Sequence, residues 1–135
     1  MNPQTYVQRY KTSQVTAVDR KQLLLLVFEG GQKFLRLTRD ALAQGNVTGF
    51  AEHMSRAQAI ISELMGSLDY KAGGDIAVEL ARLYDFMIFH LTEANVKRNV
   101  KNVENVIKIF DTIANAYREV LSKPIALPAS ATAAA

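Results

Sequence analysis

The sequence predicts an all-α protein, an antiparallel four-helix bundle with a flexible N-terminal segment and a disordered C-terminal tail. In four successive stretches, apolar residues recur at intervals of three and four, the spacing of one face of an α-helix. No stretch shows the alternation of apolar and polar residues that marks a half-buried strand. The breaks between stretches are short, which favours antiparallel neighbours. We predict a helical domain over residues 18–122, between an N-terminal segment of residues 1–17 and a tail of residues 123–135.

The composition is that of a single small domain in a reducing environment. The chain has 135 residues, a formal net charge of +3, and neither cysteine nor tryptophan. Without cysteine there is no disulfide framework and no thiolate nucleophile. The start, Met1 to Thr5, lacks the pattern of a signal peptide, and the longest apolar run, Leu23 to Phe28, is too short to cross a bilayer. We therefore expect a cytoplasmic protein without membrane insertion.

The first helix is predicted to begin at Asp19, whose carboxylate can cap the first turn, and to end near Gln44 to Asn46. Adjacent Gly30 and Gly31 would each weaken an isolated helix by roughly 1 kcal/mol relative to alanine, so we interpret them as sites where a neighbouring helix comes close. The apolar face is wide and comprises Leu23, Leu24, Val27, Phe28, Gly30, Gly31, Phe34, Leu35, Ala41 and Leu42, with Leu25 and Leu26 at its flanks.

The second helix is predicted from Val47 to Asp69. Ile60 and Met65 lie beside its apolar stripe, on a flank that the core alone does not require. The stripe consists of Phe50, Met54, Ala57, Ile61, Leu64 and Leu68.

The third helix is predicted to follow a break at residues 71–74, with Asp75 as its cap. One stripe of apolar residues is assigned to the core: Ile76, Leu80, Leu83, Met87, Leu91 and Ala94. This leaves Tyr84, Phe86, Ile88 and Phe89, which point in other directions. These four side chains must meet a second helix, another subunit or a partner.

The fourth helix is predicted after a turn at residues 97–99 and also carries two apolar strips. The core strip consists of Val103, Val106, Ile107, Phe110, Ala114, Tyr117 and Leu121. The side strip consists of Ile109, Ile113, Ala116 and Val120. So much apolar surface on a small helical protein indicates a binding module.

No arrangement of residues supports catalysis, a cofactor or a metal site. The two histidines, His53 and His90, have no serine or cysteine nucleophile at a diagnostic position. His90 and Glu93 form a single pair, whereas a di-iron bundle needs two such pairs and two further glutamates. The basic residues at 97, 98, 101 and 108 fit a solvated helix end, and no stacking platform for nucleic acid accompanies them. We predict neither an enzyme nor a nucleic-acid binder.

Several segments of the sequence are specific as an ordered set. The most specific part is the order of Leu83-Tyr84-Asp85-Phe86-Met87 followed by Ala94-Asn95. The other segments of the set are residues 19–23, 26–31, 57–64 and 68–69, with Leu80 and Leu91. Over about residues 6 to 121, these segments together resemble the flagellar secretion chaperones of the FliS family.

The resemblance implies a helical bundle that binds the C-terminal segment of flagellin in apolar grooves, prevents premature polymerisation and assists delivery to the flagellar type III export apparatus. It also leaves room for contacts with export-gate or regulatory proteins. In the free family proteins the N-terminal segment can cover part of this surface. Tyr6 and Tyr10 match the N-terminal tyrosines of the family, and Val7 would share one helical face with them, so the three residues are candidates for a displaceable cap. The candidate groove residues are Ile60, Met65, Tyr84, Ile88, Asn95, Ile109, Ile113 and Val120.

Two alternatives to this function remain open at the level of sequence. The surplus side chains of the third helix could be buried, because a helix in a bundle touches two neighbours. The chain could also be a self-association domain that forms a homodimer through the same apolar strip.

Overall fold

Four helices make up residues 17–122, the part of the chain that the computed structural model describes. They are α1 (Ala17–Ala43), α2 (Val47–Gly66), α3 (Tyr70–Lys97) and α4 (Val100–Ser122). Helices α1 and α3 each pack against α2 and α4, and within this range the backbones of the two diagonal pairs stay apart. The helices thus occupy the four corners of a bundle, which confirms the predicted all-α fold.

The α1–α2 turn is fixed by hydrogen bonds at both of its ends. Asn46 N–H donates to Ala41 O at 2.8 Å and Gly45 N–H to Leu42 O at 3.1 Å, the paired bonds of a Schellman motif. Gly45 has a positive φ of 72°, a conformation that costs glycine little. Asn46 then caps α2, its Oδ1 accepting from Gly49 N–H at 3.0 Å. The predicted end of the first helix is confirmed.

Three predicted helix boundaries are wrong. Asp19 lies inside α1, which already includes Ala17, because neither residue before Asp19 breaks a helix. Helix α2 ends at Gly66 rather than at residue 69, and Ser67 Oγ donates to Leu64 O at 2.8 Å beyond its last turn. The cap of α3 is Asp69 and not Asp75.

The start of α3 consists of one helical turn, a break and the long helix. Asp69 Oδ1 accepts from Lys71 N–H at 3.1 Å and Ala72 N–H at 3.0 Å. Gly74 then adopts φ 52° and ψ −127°, outside the helical region. The break predicted at residues 71–74 is therefore present, and only glycine adopts this backbone conformation readily.

Phe110 is a core residue of α4 whose ring lies directly against Gly31 of α1. Its ring is fully buried and packs against Phe28, with ring centroids 5.7 Å apart. A methyl group on Gly31 would lie 2.8 Å from Phe110 Cε1, closer than two carbon atoms can approach. Gly31 therefore permits the close helix approach that the glycine pair predicts.

The core stripe predicted on α3 is partly wrong. Met87, Leu91 and Ala94 are fully buried, but Ile76 is 69% exposed and Leu83 is 37% exposed. The buried row instead continues through Tyr84, which is 1% exposed, and Ala77. The large side chain of Ile76 favoured the wrong row in the sequence, whereas burial follows the helix rotation that places the small Ala77 inward.

A polar cluster joins the outer side of α1 to α4. Arg36 binds both carboxylate oxygens of Asp111, at 2.7 and 3.3 Å. Gln32 Nε2 donates to Asp111 Oδ1 at 2.8 Å, and Arg118 donates to Gln32 Oε1 at 2.6 Å. Desolvation raises the pKa of Asp111, but the hydrogen bonds from Arg36 and Gln32 and the charges of Arg36 and Arg118 outweigh it, so the pKa is lowered overall.

We expect Asp111→Asn to lower the free energy of unfolding by roughly 1 kcal/mol at neutral pH, because the ion pair is partly exposed. A lowered folded-state pKa means that the stabilisation is complete above the unfolded-state pKa of about 3.9. It is lost as the pH falls through the folded-state pKa, so the variant and the wild type should converge in acid. Urea unfolding over a pH series measures this. Asp40→Asn is the matched control, since Asp40 pairs with its neighbour Arg39 and its side chain is more exposed than that of Asp111. An Asp111→Asn effect that does not shrink in acid would contradict the assignment.

Candidate functional site

An apolar groove runs between α1 and α2. It is an open depression of about 380 Å³. Gly30 lies at the floor of the groove and, having no side chain, leaves space there. A methyl group at this position would occupy that space and contact Ile60 Cδ1 at 3.5 Å. Leu26, at its edge, is 58% exposed. We call this surface the α1–α2 groove, lined by Leu26, Val27, Gly30, Ala59, Ile60 and Glu63.

A second depression, of about 580 Å³, lies against α3. Phe86 and Phe89 contribute its largest exposed apolar area and are 45% and 59% exposed. On the side toward α2, Gln58 Nε2 donates to Ile88 O at 3.3 Å and to Thr92 Oγ1 at 3.1 Å, which fixes the rotation of α3 against α2. The lining residues are Arg82, Asp85, Phe86, Ile88, Phe89 and Thr92.

A third apolar surface lies along the edge between α3 and α4. The α1-facing side of α4 is marked by Asp111, and helical spacing places Ile109 and Val120 on the other side, toward α3. The same spacing places Ile76 and Leu83 on the α4 side of α3, opposite Ile88. Val120, Ile76 and Leu83 are exposed, and Ile109 is partly buried. We call this surface the α3–α4 edge.

The structure distributes the predicted groove residues over three surfaces and the core. Ile60 lies in the α1–α2 groove, Ile88 in the depression on α3, and Ile109 and Val120 at the α3–α4 edge. Met65 is partly buried against the core, and Asn95 is exposed near the end of α3. The cap candidates Tyr6, Val7 and Tyr10 lie outside the described residues.

Two of the predicted groove residues are wrong, because they are buried. Tyr84 is 1% exposed and Ile113 is 6% exposed, so neither side chain offers a surface to a partner. Both belong to the rows that face the bundle axis. Burial, with a smaller contribution from Tyr117, raises the pKa of the Tyr84 hydroxyl. Tyr84 therefore stays neutral and acts as a core residue.

Sequence reasoning placed Leu26 at a flank and missed its position in the α1–α2 groove. The signal was present in the run of four leucines at residues 23–26, because a helix can turn only about half of such a run toward one neighbour.

The charged residues near the α3–α4 turn are partly engaged by other side chains. Lys97 Nζ lies 3.5 Å from Glu93 Oε2, and the Arg98 guanidinium lies 5.5 Å from the centre of the Phe50 ring. Among residues 17–122, no group of three or more His, Cys, Asp or Glu side chains is placed to hold a metal ion. In the same range, no helix has the length and hydropathy needed to span a membrane.

Comparison with known proteins identifies the family. The family model described as flagellar protein FliS matches residues 2–124. This chain belongs to the FliS family. The flagellar secretion chaperone FliS of Salmonella typhimurium is 34% identical over 119 residues, which cover 87% of this chain and 88% of that protein. FliS of Vibrio cholerae is 32% identical over 117 residues, covering 87% and 86% of the two chains.

A solved structure shares the fold. The crystal structure of a flagellar chaperone from bacteria superposes with a TM-score of 0.70 at 19% identity, covering 89% of this chain and 98% of that one. Membership in FliS confirms the resemblance stated from the sequence. It also confirms that the chain is not an enzyme, since these FliS relatives are chaperones.

Proposed function

We propose that this chain is a cytoplasmic export chaperone for flagellin. In this proposal, the C-terminal segment of flagellin binds in the apolar surfaces of the bundle, which prevents premature polymerisation and assists delivery to the flagellar type III export apparatus. The observation that carries the proposal is the α1–α2 groove, a continuous apolar depression on a protein whose core is already complete.

The groove has the properties that helix-in-groove recognition requires. Its walls are helices held by the bundle, so binding requires little reordering of the chaperone. Its floor is apolar, with Val27 and Ile60 half-buried, and Leu26 adds exposed apolar area at the rim. An amphipathic cargo segment that buries its apolar face there gains about 25 cal/mol per Å² of apolar area, against the cost of folding the cargo.

The α3–α4 edge offers a second apolar surface on the opposite side of the bundle. Leu83 and Val120 are large side chains that the core leaves exposed. In the proposed complex, a second apolar piece of the same cargo covers this edge. Covering both surfaces accounts for exposed leucine, isoleucine and valine side chains that a monomeric bundle does not need.

Binding to a flagellin peptide tests the proposal. A peptide of the C-terminal region from the cognate flagellin should form a one-to-one complex, with a negative heat-capacity change in calorimetry and added helix in circular dichroism. A peptide of the same composition in scrambled order serves as the control. The absence of both heat and added helix with the cognate peptide would overturn the proposed function.

A further inference from the structure

We infer that the α1–α2 groove accepts the cargo helix in one direction, with the C-terminal end of that helix beside Phe34. This inference rests on the proposed function, because it concerns the same groove and the same flagellin segment. The groove continues beyond its apolar floor toward the α1–α2 turn. On α1, Phe34 follows Val27 and Gly30 at helical spacing. On α2, Arg56 follows Ile60 in the same way.

Two cations lie over the Phe34 ring. Arg56 Cζ lies 5.5 Å and Lys33 Nζ lies 5.7 Å from the ring centre, both within the range of a cation–π contact. Glu52 Oε1 lies 3.4 Å from Arg56 Nη2, and both side chains of this ion pair are more than half exposed. Such a pair is weak, and the two cations outnumber the Glu52 carboxylate. This end of the groove therefore carries an excess of positive charge.

The other end of the groove carries the opposite charge. Glu63 lines the groove there and is exposed. It follows Arg56 by seven residues on α2, which is two helical turns or roughly 10 Å. The Glu63 carboxylate and the cations at Phe34 thus mark the two ends of one apolar floor.

These charges match an α-helix in one orientation. The free N–H groups at the start of a helix carry about half a positive charge, and the free carbonyl groups at its end carry about half a negative charge. A cargo helix that runs parallel to α1 has its N-terminal end at Glu63 and its C-terminal end at Phe34, so opposite charges meet at both ends. The reverse orientation brings like charges together. Burial on the apolar floor supplies affinity, and the charges select the direction.

A nitroxide label on either end of the cargo helix tests the direction. The probe is the C-terminal peptide of the cognate flagellin, labelled in turn at the two ends of the helical piece whose binding Leu26→Asp weakens. Paramagnetic broadening is measured on the amide signals of Gly49 and Gly66, near the two ends of α2. The C-terminal label should broaden Gly49 more strongly than Gly66, and the N-terminal label should broaden Gly66 more strongly.

Charge reversal at Lys33 tests the physical cause. Lys33→Glu should weaken binding of the unlabelled peptide by roughly fivefold at low salt, because a carboxylate then faces the negative end of the cargo helix. The difference from the wild type should shrink at high salt, since both groups are exposed to solvent. Lys108→Glu, at an exposed position of α4, changes the net charge equally and should bind like the wild type. Circular dichroism checks that each variant is folded.

The outcomes separate this inference from the proposed function. Peptide binding in calorimetry with the reverse broadening pattern, or with the same pattern from both labels, overturns the direction and leaves the chaperone function standing. Equal affinity of Lys33→Glu and the wild type at low salt also overturns it, because the cations at Phe34 would then select nothing. A complete absence of peptide binding would overturn the proposed function, and this inference with it.

Discussion

Replacing Phe110 with alanine is expected to lower the free energy of unfolding by about 3–5 kcal/mol, the range for truncating a buried aromatic residue. The ring is fully buried and lies between Phe28 and the backbone of α1 at Gly31. The bundle cannot close this space without moving α4 relative to α1, and the Arg36–Asp111 contact resists such a movement. Urea unfolding with a fixed m value measures the loss.

The contact between the Phe110 ring and Gly31 predicts a strong energetic coupling between these two residues. In the wild type, Gly31→Ala should destabilise the protein by about 1–3 kcal/mol, because the added methyl group overlaps the ring. In the Phe110→Ala background, the methyl group enters empty space, and alanine should be neutral or stabilising by up to about 1 kcal/mol through its helix propensity. Gly66→Ala, where nothing lies within 4 Å, is the control and should behave alike in both backgrounds. An equal cost of Gly31→Ala in the two backgrounds would refute this packing account.

Replacing Leu26 with aspartate is expected to weaken binding of the flagellin peptide by roughly a hundredfold, while leaving the fold intact. Leu26 is 58% exposed in the free chain, so its loss costs the bundle little. In the proposed complex the side chain is covered by cargo, and a carboxylate there would be buried without a partner. Calorimetry gives the affinity and thermal unfolding gives the stability.

Val47→Asp is the matched control for Leu26→Asp. Val47 is also 58% exposed, but it lies in the first turn of α2, away from the α1–α2 groove, where a negative charge suits the helix end. This variant should bind the peptide like the wild type. Equal binding by the two variants would exclude the α1–α2 groove as the cargo site.

The sequence was sufficient for the fold because the helical period and the turn residues agree. Gly45 and Asn46 end one helix and start the next through hydrogen bonds that their residue types specify. In α3 the period left a choice between two rows, 76–80–83 and 77–80–84. Apolar content favoured the first row, but packing selected the second, because the rotation of α3 is fixed by contacts such as Gln58 with the Ile88 carbonyl. Such a contact across 30 residues of chain cannot be read from local spacing.

The candidate functional surface was predictable only in part for the same reason. The surplus of apolar residues correctly predicted exposed apolar surface, and Ile60 was placed beside the stripe of α2. The buried row of α3 differs from the predicted row by one position. Tyr84, predicted at the surface, is therefore in the core, and Leu83, predicted in the core, is exposed. The position of Leu26 in the groove depends on the distance between α1 and α2, and this distance is set by the contact of Gly30 with Ile60. Whether a given side chain is reachable is therefore decided by helix rotation rather than by composition.

The positions of the two apolar surfaces set a minimum length for a cargo that covers both. The order of the helices places the α1–α2 groove and the α3–α4 edge on opposite sides of the bundle, and the polar cluster of Gln32, Arg36, Asp111 and Arg118 occupies the α1–α4 side between them. A chain that passes from one to the other must cross about two helix diameters, roughly 20 Å. At about 3.3 Å per extended residue, the crossing takes at least six residues that make no helix. A cargo segment with two amphipathic helices joined by a shorter connection could fill one surface and not the other.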